Sequence, residues 1–178
     1  FNYSYLYKSN KKKFDEIIND VCSRGAYILQ KDLDEFEEGL QNFTNCKYAL
    51  GVANGTDAIW LALMAAGIGN GDEVIFSSHT YIATAGSIKF VGATPIPADC
   101  REDHMIDPDS VEKLITAKTK AIIPTQLNGR CCEMDTLLSI AKKNNLVIIE
   151  DAAQGLGAKY KNNSVCSFDL GGTISFYP

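Results

Sequence analysis

The segment Asn54-Gly55-Thr56-Asp57 precedes an apolar run, Ala58 to Ala66, that is typical of a buried helix. Amides in the first turn of a helix have no acceptor within the helix, and they can donate hydrogen bonds to an anion. Gly55 permits close approach of the backbone to such an anion, and the Thr56 hydroxyl would lie beside it. The four residues therefore suit a phosphate group. They also suit an ordinary glycine turn in which Thr56 or Asp57 caps the helix, and for this tetrapeptide alone the turn is the simpler interpretation.

A carboxylate stands at the end of a strongly apolar run. Residues Leu146 to Ile149 are typical of a buried strand, and Asp151 lies at its carboxyl end, where open α/β sheets bind their ligands. If the ligand were a pyridine ring, Asp151 could pair with the ring nitrogen and keep it protonated, so that the ring withdraws electrons from a carbanion. Gln154 would face the same side in a helical turn and could bond to a ring hydroxyl. Alternatively, Asp151 caps a short helix that follows the strand.

Two further segments carry groups that could bind the same ligand. His79-Thr80-Tyr81-Ile82-Ala83-Thr84 follows a strand candidate and opens a helix, so Tyr81 could stack against an aromatic ring. A lone histidine such as His79 is more often a structural residue than a base. Ser175, in the last strand candidate, could bring a hydroxyl to the same phosphate as Thr56, although this segment carries no weight by itself.

An alternation of strands and helices must position these residues. From Tyr48 onward, short apolar runs alternate with helical patterns, which predicts an α/β fold with three layers, a mainly parallel sheet flanked by helices. Continuous runs of Val, Ile and Leu indicate strands that are buried on both faces. We expect the strands at Tyr48–Ala53, Glu73–Phe76, Thr94–Ala98, Lys120–Pro124, Leu146–Glu150 and Gly172–Phe176.

Helix signals occupy the intervals between the strand candidates. Asp107 followed by Pro108 predicts a capped helix start, and Met134 to Lys143 has an apolar side and cations at its C-terminal end. The first part of the chain differs, because residues 1–45 contain amphipathic helical patterns and no strand candidate. We therefore divide the chain into an N-terminal helical segment, 1–45, and the first part of a large domain, 46–178.

Composition and charge exclude several classes of protein. Of the 178 residues, 46% are hydrophobic, enough for a core of ordinary size, and the net charge of -5 disfavours nonspecific binding to nucleic acid or anionic membranes. Six cysteines and two histidines show neither zinc spacing nor a disulfide framework. No apolar stretch is long enough to span a membrane, and the start resembles neither a signal nor a transit peptide. We expect a soluble cytoplasmic protein that binds no metal, no nucleic acid and no membrane.

In order and in spacing, the segments of this chain resemble the nucleotide-sugar aminotransferases of fold type I, within the aspartate aminotransferase superfamily. The resemblance runs from about Gly25 to the end and is carried by Gly51-Val-Ala-Asn-Gly-Thr-Asp57, Gly71-Asp-Glu-Val-Ile75, His79-Thr-Tyr-Ile-Ala-Thr84, Gly92-Ala-Thr-Pro95, Leu127-Asn-Gly129, Glu150-Asp-Ala-Ala-Gln154 and Ser175-Phe-Tyr-Pro178. It implies part of the large domain of pyridoxal-phosphate-dependent transferases, with pyridoxal 5'-phosphate as the cofactor. It also implies phosphate contacts from Gly55, Thr56 and Ser175, a ring cover from Tyr81, a ring-nitrogen contact from the catalytic Asp151 and a ring-oxygen contact from Gln154.

The same resemblance implies a reaction and its partners. The complete enzyme would transfer an amino group, with glutamate as the expected donor, to C3 or C4 of a nucleotide-linked keto sugar. It would be a homodimer with the site at the subunit interface. In the family a Schiff-base lysine follows the Ser-Phe-x-Pro segment within two residues, so this lysine is expected just after Pro178. Lys159 and Lys161 lie at positions that do not match it.

Three alternatives stand beside this function. A sugar dehydratase of the same fold would carry histidine at the position of that lysine. A catalytically silent fragment would only bind or scaffold, since the printed residues do not include the lysine. A dinucleotide-binding oxidoreductase agrees poorly with the sequence, because Tyr160 occupies the position of the third glycine after Gly155-Leu-Gly157.

Overall fold

The computed structural model describes residues 2–176, and its elements alternate along most of the chain. Among these residues, five parallel strands form one sheet in the order β2-β1-β3-β4-β7, and β5 and β6 form a separate antiparallel pair. In chain order the elements are α1 (Tyr3–Ser9), α2 (Lys11–Arg24), α3 (Lys31–Thr44), α4 (Gly55–Ala65), β1 (Glu73–Ser77), α5 (Ile82–Phe90), β2 (Thr94–Ala98), α6 (Pro108–Leu114), β3 (Thr119–Ile123), α7 (Met134–Asn144), β4 (Val147–Asp151), β5 (Lys159–Tyr160), β6 (Asn163–Ser164) and β7 (Gly171–Thr173).

The sheet lies between two layers of helices, which confirms the expected three-layer α/β class. Successive strand residues point to opposite faces, so each central strand contributes to both sides of the sheet. One core joins the strands to α6 and α7 and includes Ile75, Ile122, Ile148, Val111 and Leu137. The other core joins the strands to α4 and α5 and includes Val74, Ile123, Ile149, Leu63 and Ile88. Each of these fully buried aliphatic side chains contributes about 1.5–3 kcal/mol of hydrophobic stabilisation.

Four of the expected strands form with bounds close to the predicted ones. The predictions at 73–76, 94–98, 120–124 and 146–150 correspond to β1, β2, β3 and β4. The last strand, expected at 172–176, is shorter and ends at Thr173. Tyr177 and Pro178, which complete the Ser-Phe-Tyr-Pro segment, lie outside the described residues.

The prediction of a strand at Tyr48–Ala53 is wrong. Tyr48 and Leu50 are 72% and 83% exposed, and the Gly51 amide donates a hydrogen bond of 2.6 Å to Oε1 of Glu37 rather than to a neighbouring strand. Among the described residues, the segment has no strand partner. The apolar composition of the segment therefore does not produce a strand.

The helices follow the sequence signals closely. α6 begins at Pro108, and the Asp107 side chain caps it by accepting a hydrogen bond from the Asp109 amide. α7 extends one residue beyond the predicted end at Lys143. Before residue 45 the structure contains α1, α2 and α3, and neither α1 nor α2 has a buried residue. Within residues 2–176 no helix combines the length and apolar character that a membrane span needs.

Candidate active site

Asp151 is the last residue of β4, at the carboxyl edge of the sheet. Its amide donates to the carbonyl of Pro124 at 3.0 Å, and its carbonyl accepts from the Gln126 amide at 2.8 Å. On the other side Asp151 is paired with Thr173 of β7. The strand end is therefore fixed on both sides, at the edge where ligands bind to parallel sheets.

Asp151 is only 4% exposed, and its carboxylate accepts hydrogen bonds from uncharged groups. Thr84 Oγ1 donates to Oδ2 at 2.6 Å, and the Ala153 amide donates to Oδ1 at 3.3 Å. Burial raises the pKa of Asp151, and hydrogen bonds from Thr84 and Ala153 oppose this rise. Among residues 2–176 no cation pairs with the carboxylate. Such a group is suited to a ligand that brings its own positive charge.

The first turn of α4 carries the predicted phosphate contacts, but its cap differs from the expected one. Asn54 has extended backbone angles, and its Oδ1 accepts a hydrogen bond of 2.9 Å from the Asp57 amide. Asn54 is therefore the cap, rather than Thr56 or Asp57, because the helix begins at Gly55 and the cap must precede it. The Asp57 carboxylate instead accepts from Trp60 Nε1 at 3.0 Å. The amides of Gly55 and Thr56 remain at the open end of the helix.

Gly55 and Ser175 come together although they are distant in the sequence. A Cβ atom on Gly55 would lie 2.9 Å from Cβ of Ser175, which is closer than real Cβ contacts come. Ser87 of α5 donates a hydrogen bond of 3.0 Å to the Thr56 carbonyl and holds the first turn of α4 against α5. Gly55 and Ser175 therefore line one cavity, and the absence of a side chain on Gly55 lets the two residues approach each other.

Tyr81 precedes α5, the helix that carries Thr84. Its carbonyl accepts from the Thr84 amide at 3.1 Å, while its side chain is 71% exposed. Tyr81 therefore directly precedes the helix turn whose Thr84 binds Asp151. His79, by contrast, stacks on His104 with ring centroids 5.2 Å apart, in agreement with a structural role.

Gln154 lies in a turn, not in a helix. The expected short helix after Asp151 does not form, because Gly155 packs against Gln126 and Gly157 adopts a φ of 85°. The Gln154 side chain is exposed, and its carbonyl accepts from the Gly129 amide at 2.8 Å. Within the described residues the structure gives no contact between the side chains of Gln154 and Asp151. The two glycines that suggested a dinucleotide site serve this turn.

Sequence reasoning missed three polar residues near Asp151. Thr80, Thr84 and Thr125 connect through their hydroxyls to the Asp151 carboxylate. Thr80 and Thr84 are four residues apart, which places side chains on one side of a helical turn, and this spacing was the available signal. Thr125 gave no local signal, since its contact depends on how the strands align.

Residues 8–178 match the sequence profile of the DegT/DnrJ/EryC1/StrS aminotransferase family. The chain belongs to this family. The family match includes α2 and α3.

Individual members of the aminotransferase family are similar over nearly the whole chain. The UDP-2-acetamido-2-deoxy-3-oxo-D-glucuronate aminotransferase of Pseudomonas aeruginosa is 42% identical over 94% of this chain and 47% of its own length. The crystal structure of S. venezuelae DesV in complex with a ketimine intermediate has a TM-score of 0.94 and 40% identity, covering 98% of this chain and 47% of that one. The structure of Spr1654 from Streptococcus pneumoniae, in its PLP form, has a TM-score of 0.84 and 31% identity, and it covers 90% of this chain and 46% of that one. The chain thus spans about half the length of the relatives that it matches.

Proposed function

We propose that the intact protein is an aminotransferase that uses pyridoxal 5'-phosphate to transfer an amino group to a keto carbon, C3 or C4, of a nucleotide-linked sugar. The observation that carries the proposal is the buried Asp151 carboxylate, which lacks a cation among the described residues and lies at the carboxyl edge of the sheet. Family membership and the names of the relatives support the same activity, since one relative is an aminotransferase for a UDP-linked 3-oxo sugar.

The residues present suit pyridoxal phosphate. Its phosphate would lie against Gly55 and Thr56 at the start of α4, with Ser175 beside them, because Gly55 and Ser175 lie close together. Its protonated ring nitrogen would meet Asp151, which needs a positive partner. Tyr81 would cover the ring, and Gln154 would contact the ring oxygen. The PLP form of Spr1654 supports this choice of cofactor.

Each residue would have a separate task. When bound, pyridoxal phosphate supplies an electron-withdrawing ring that stabilises negative charge on the substrate carbon. Asp151 would hold the proton on the ring nitrogen, and Tyr81 would exclude water from one face of the ring. The amides of Gly55 and Thr56 would fix the phosphate with the help of the positive helix end. The lysine that the resemblance places just after Pro178 would hold the cofactor and move the proton at the substrate carbon.

The proposal extends to partners and location. Glutamate is the proposed amino donor, and the proposed enzyme is a cytoplasmic homodimer with its site at the subunit interface. The exposed side chains of Tyr81, Tyr48 and Leu50 support an interface, because large apolar groups beside a site are otherwise costly to leave in water.

Amino transfer itself tests the proposal. The intact protein is incubated with pyridoxal phosphate, glutamate and nucleotide-linked 3-keto or 4-keto hexoses, and the products are identified by mass. We expect a yellow protein and an amino sugar from one of the two substrates. A protein that binds no pyridoxal phosphate would contradict the proposal. A protein that binds it and eliminates water from the sugar instead would favour the dehydratase alternative.

A further inference from the structure

Three threonine hydroxyls form a hydrogen-bonded chain that ends on the Asp151 carboxylate. Thr125 Oγ1 donates to Thr80 Oγ1 at 3.0 Å, the hydroxyls of Thr80 and Thr84 are 2.8 Å apart, and Thr84 Oγ1 donates to Asp151 Oδ2 at 2.6 Å. Thr125 follows β3, Thr80 follows β1, and Thr84 lies in the first turn of α5. The row of hydroxyls therefore connects the segments after β3 and β1 and the first turn of α5 to the end of β4.

The proton direction along this chain follows from the chemistry of the groups. An ionised carboxylate only accepts, so the single hydroxyl proton of Thr84 must point to Asp151. Thr84 can then only accept from Thr80, and Thr80 accepts in turn from Thr125. All three donors thus point toward Asp151. Aligned hydroxyls polarise one another, so the last bond of the chain is stronger than an isolated one.

Burial makes this last bond important for Asp151. Thr84 is 0% exposed and Asp151 is 4% exposed, so water does not replace a missing donor easily. The 2.6 Å distance is typical of a hydroxyl bound to an ionised carboxylate. Oδ2 is occupied by Thr84, whereas Oδ1 has only the longer 3.3 Å contact with the Ala153 amide. Oδ1 is therefore the less strongly bonded oxygen, and it has acceptor capacity for a ligand.

We propose that Thr84, supported by Thr80 and Thr125, is a positioning residue that keeps Asp151 ionised and leaves its Oδ1 for the ring nitrogen of the cofactor. The inference rests on the proposed function, because it needs a cationic ring as the partner of Asp151. The neutral chain suits this purpose. A fixed cation beside Asp151 would satisfy the carboxylate and remove its need for the ring.

The test compares Thr84→Val, which removes the hydroxyl at nearly equal volume, with Thr84→Ser, which keeps it, in the intact protein loaded with pyridoxal phosphate. For Thr84→Val we expect kcat to fall roughly 10- to 100-fold, the effect of one hydrogen bond to a buried charge, while KM for the sugar changes less than about threefold. The pH at which the visible band of the bound cofactor titrates should shift by roughly half a unit or more. Thr84→Ser should restore both values to near wild type.

A matched control separates positioning from a merely structural role. Thr119 is 4% exposed at the opposite end of β3, and its hydroxyl accepts from the Thr116 amide at 2.9 Å. Thr119→Val should lower the melting temperature, as Thr84→Val does, without changing kcat or the titration of the band. Thr125 is the hydroxyl farthest from Asp151. Thr125→Val should change kcat and the titration of the band in the same direction as Thr84→Val, but by less. It serves as the test if Thr84→Val does not fold.

Failure of the proposed function can be distinguished from failure of the role proposed for Thr84. If the wild-type protein binds no pyridoxal phosphate, the proposed function fails and this inference is overturned with it. If the wild-type protein is active but the valine variants at 84 and 125 keep its kcat and its band titration, only the inference is overturned.

Discussion

Glu150 and Asp151 are adjacent carboxylates at the end of β4, and both are buried, but their surroundings differ. Glu150 is 0% exposed, and each of its oxygens meets a fixed amide: Gln126 Nε2 at 2.6 Å and the Phe168 amide at 3.2 Å. The same glutamine accepts from the Cys132 amide at 2.7 Å. Glu150 is therefore enclosed by the protein and connects β4 to two loops.

Asp151 points to the opposite face, since neighbouring strand residues alternate. There Thr84, the last hydroxyl of the threonine chain, donates to one oxygen and the Ala153 amide donates to the other. Burial raises the pKa of both carboxyls, and for Glu150 it does so to about 7. The difference shows that burial and a raised pKa do not by themselves mark a ligand-binding carboxylate. What distinguishes Asp151 is its place at the carboxyl edge of the sheet, on the face where the first turn of α5 lies.

The largest expected effect comes from Asp151→Asn. The variant should fold, because the amide fills the same volume and can still accept from Thr84. Amino transfer should fall by on the order of 10²- to 10³-fold, since the ring nitrogen loses its charged partner. Single-turnover kinetics on the intact enzyme measure this, with Glu150→Gln as the matched neighbour. A wild-type rate in Asp151→Asn would reduce Asp151 to the same structural role as Glu150.

Glu150 should instead affect stability and its dependence on pH. Its pKa of about 7 in the folded protein exceeds the ordinary value of 4.5, so the folded state binds more protons between these values. Stability due to this group is therefore greatest at acidic pH and declines as pH rises through about 7, by roughly 3 kcal/mol. In Glu150→Gln the free energy of unfolding should decline less between pH 4.5 and 7.5 than in the wild type, and the difference should equal that amount. Urea unfolding at several pH values measures it. An unchanged pH profile would show that Glu150 does not titrate in this range.

Gly55→Ala tests the phosphate end of the candidate site and should have the smallest effect. The new Cβ would meet Ser175 at 2.9 Å and push the two apart, which we expect to weaken pyridoxal phosphate binding about tenfold. Gly86→Ala in α5 is the control, because nothing lies within 4 Å of its new Cβ. The control should leave cofactor affinity unchanged and stabilise the protein by up to about 1 kcal/mol. Equal cofactor affinities in the two variants would argue against a phosphate site at Gly55.

The sequence predicted much of the fold because buried parallel strands have a direct signature. The continuous apolar run Leu146 to Ile149 predicted a strand that is buried on both faces, and β4 packs against a helical layer on each face. The same logic failed at Tyr48–Ala53, because an apolar composition does not reveal whether a partner strand is available. The cap of α4 was misplaced from Asn54 to its neighbours because the helix starts at Gly55, and patterns locate such boundaries only within a few residues.

The candidate site was predictable where roles are local. Asp151 follows an obvious strand, and Gly55 and Thr56 precede an obvious helix, so their places at element ends could be inferred. The contact between Gly55 and Ser175 and the hydroxyl chain from Thr125 to Asp151 depend on the order and register of the strands. Those are properties of the folded sheet, and no spacing in the sequence encodes them.

A crystal structure of the intact protein with pyridoxal phosphate tests the assignment of Asp151 most directly. We predict that the ring nitrogen lies about 2.7–2.9 Å from a carboxylate oxygen of Asp151, the range of a charge-assisted hydrogen bond. The phosphate should lie against Gly55, Thr56 and Ser175, and Glu150 should keep its contacts with Gln126 and Phe168. A cofactor whose ring nitrogen meets solvent or another side chain, with Asp151 still bonded only to Thr84 and the Ala153 amide, would contradict the division of roles between the two carboxylates.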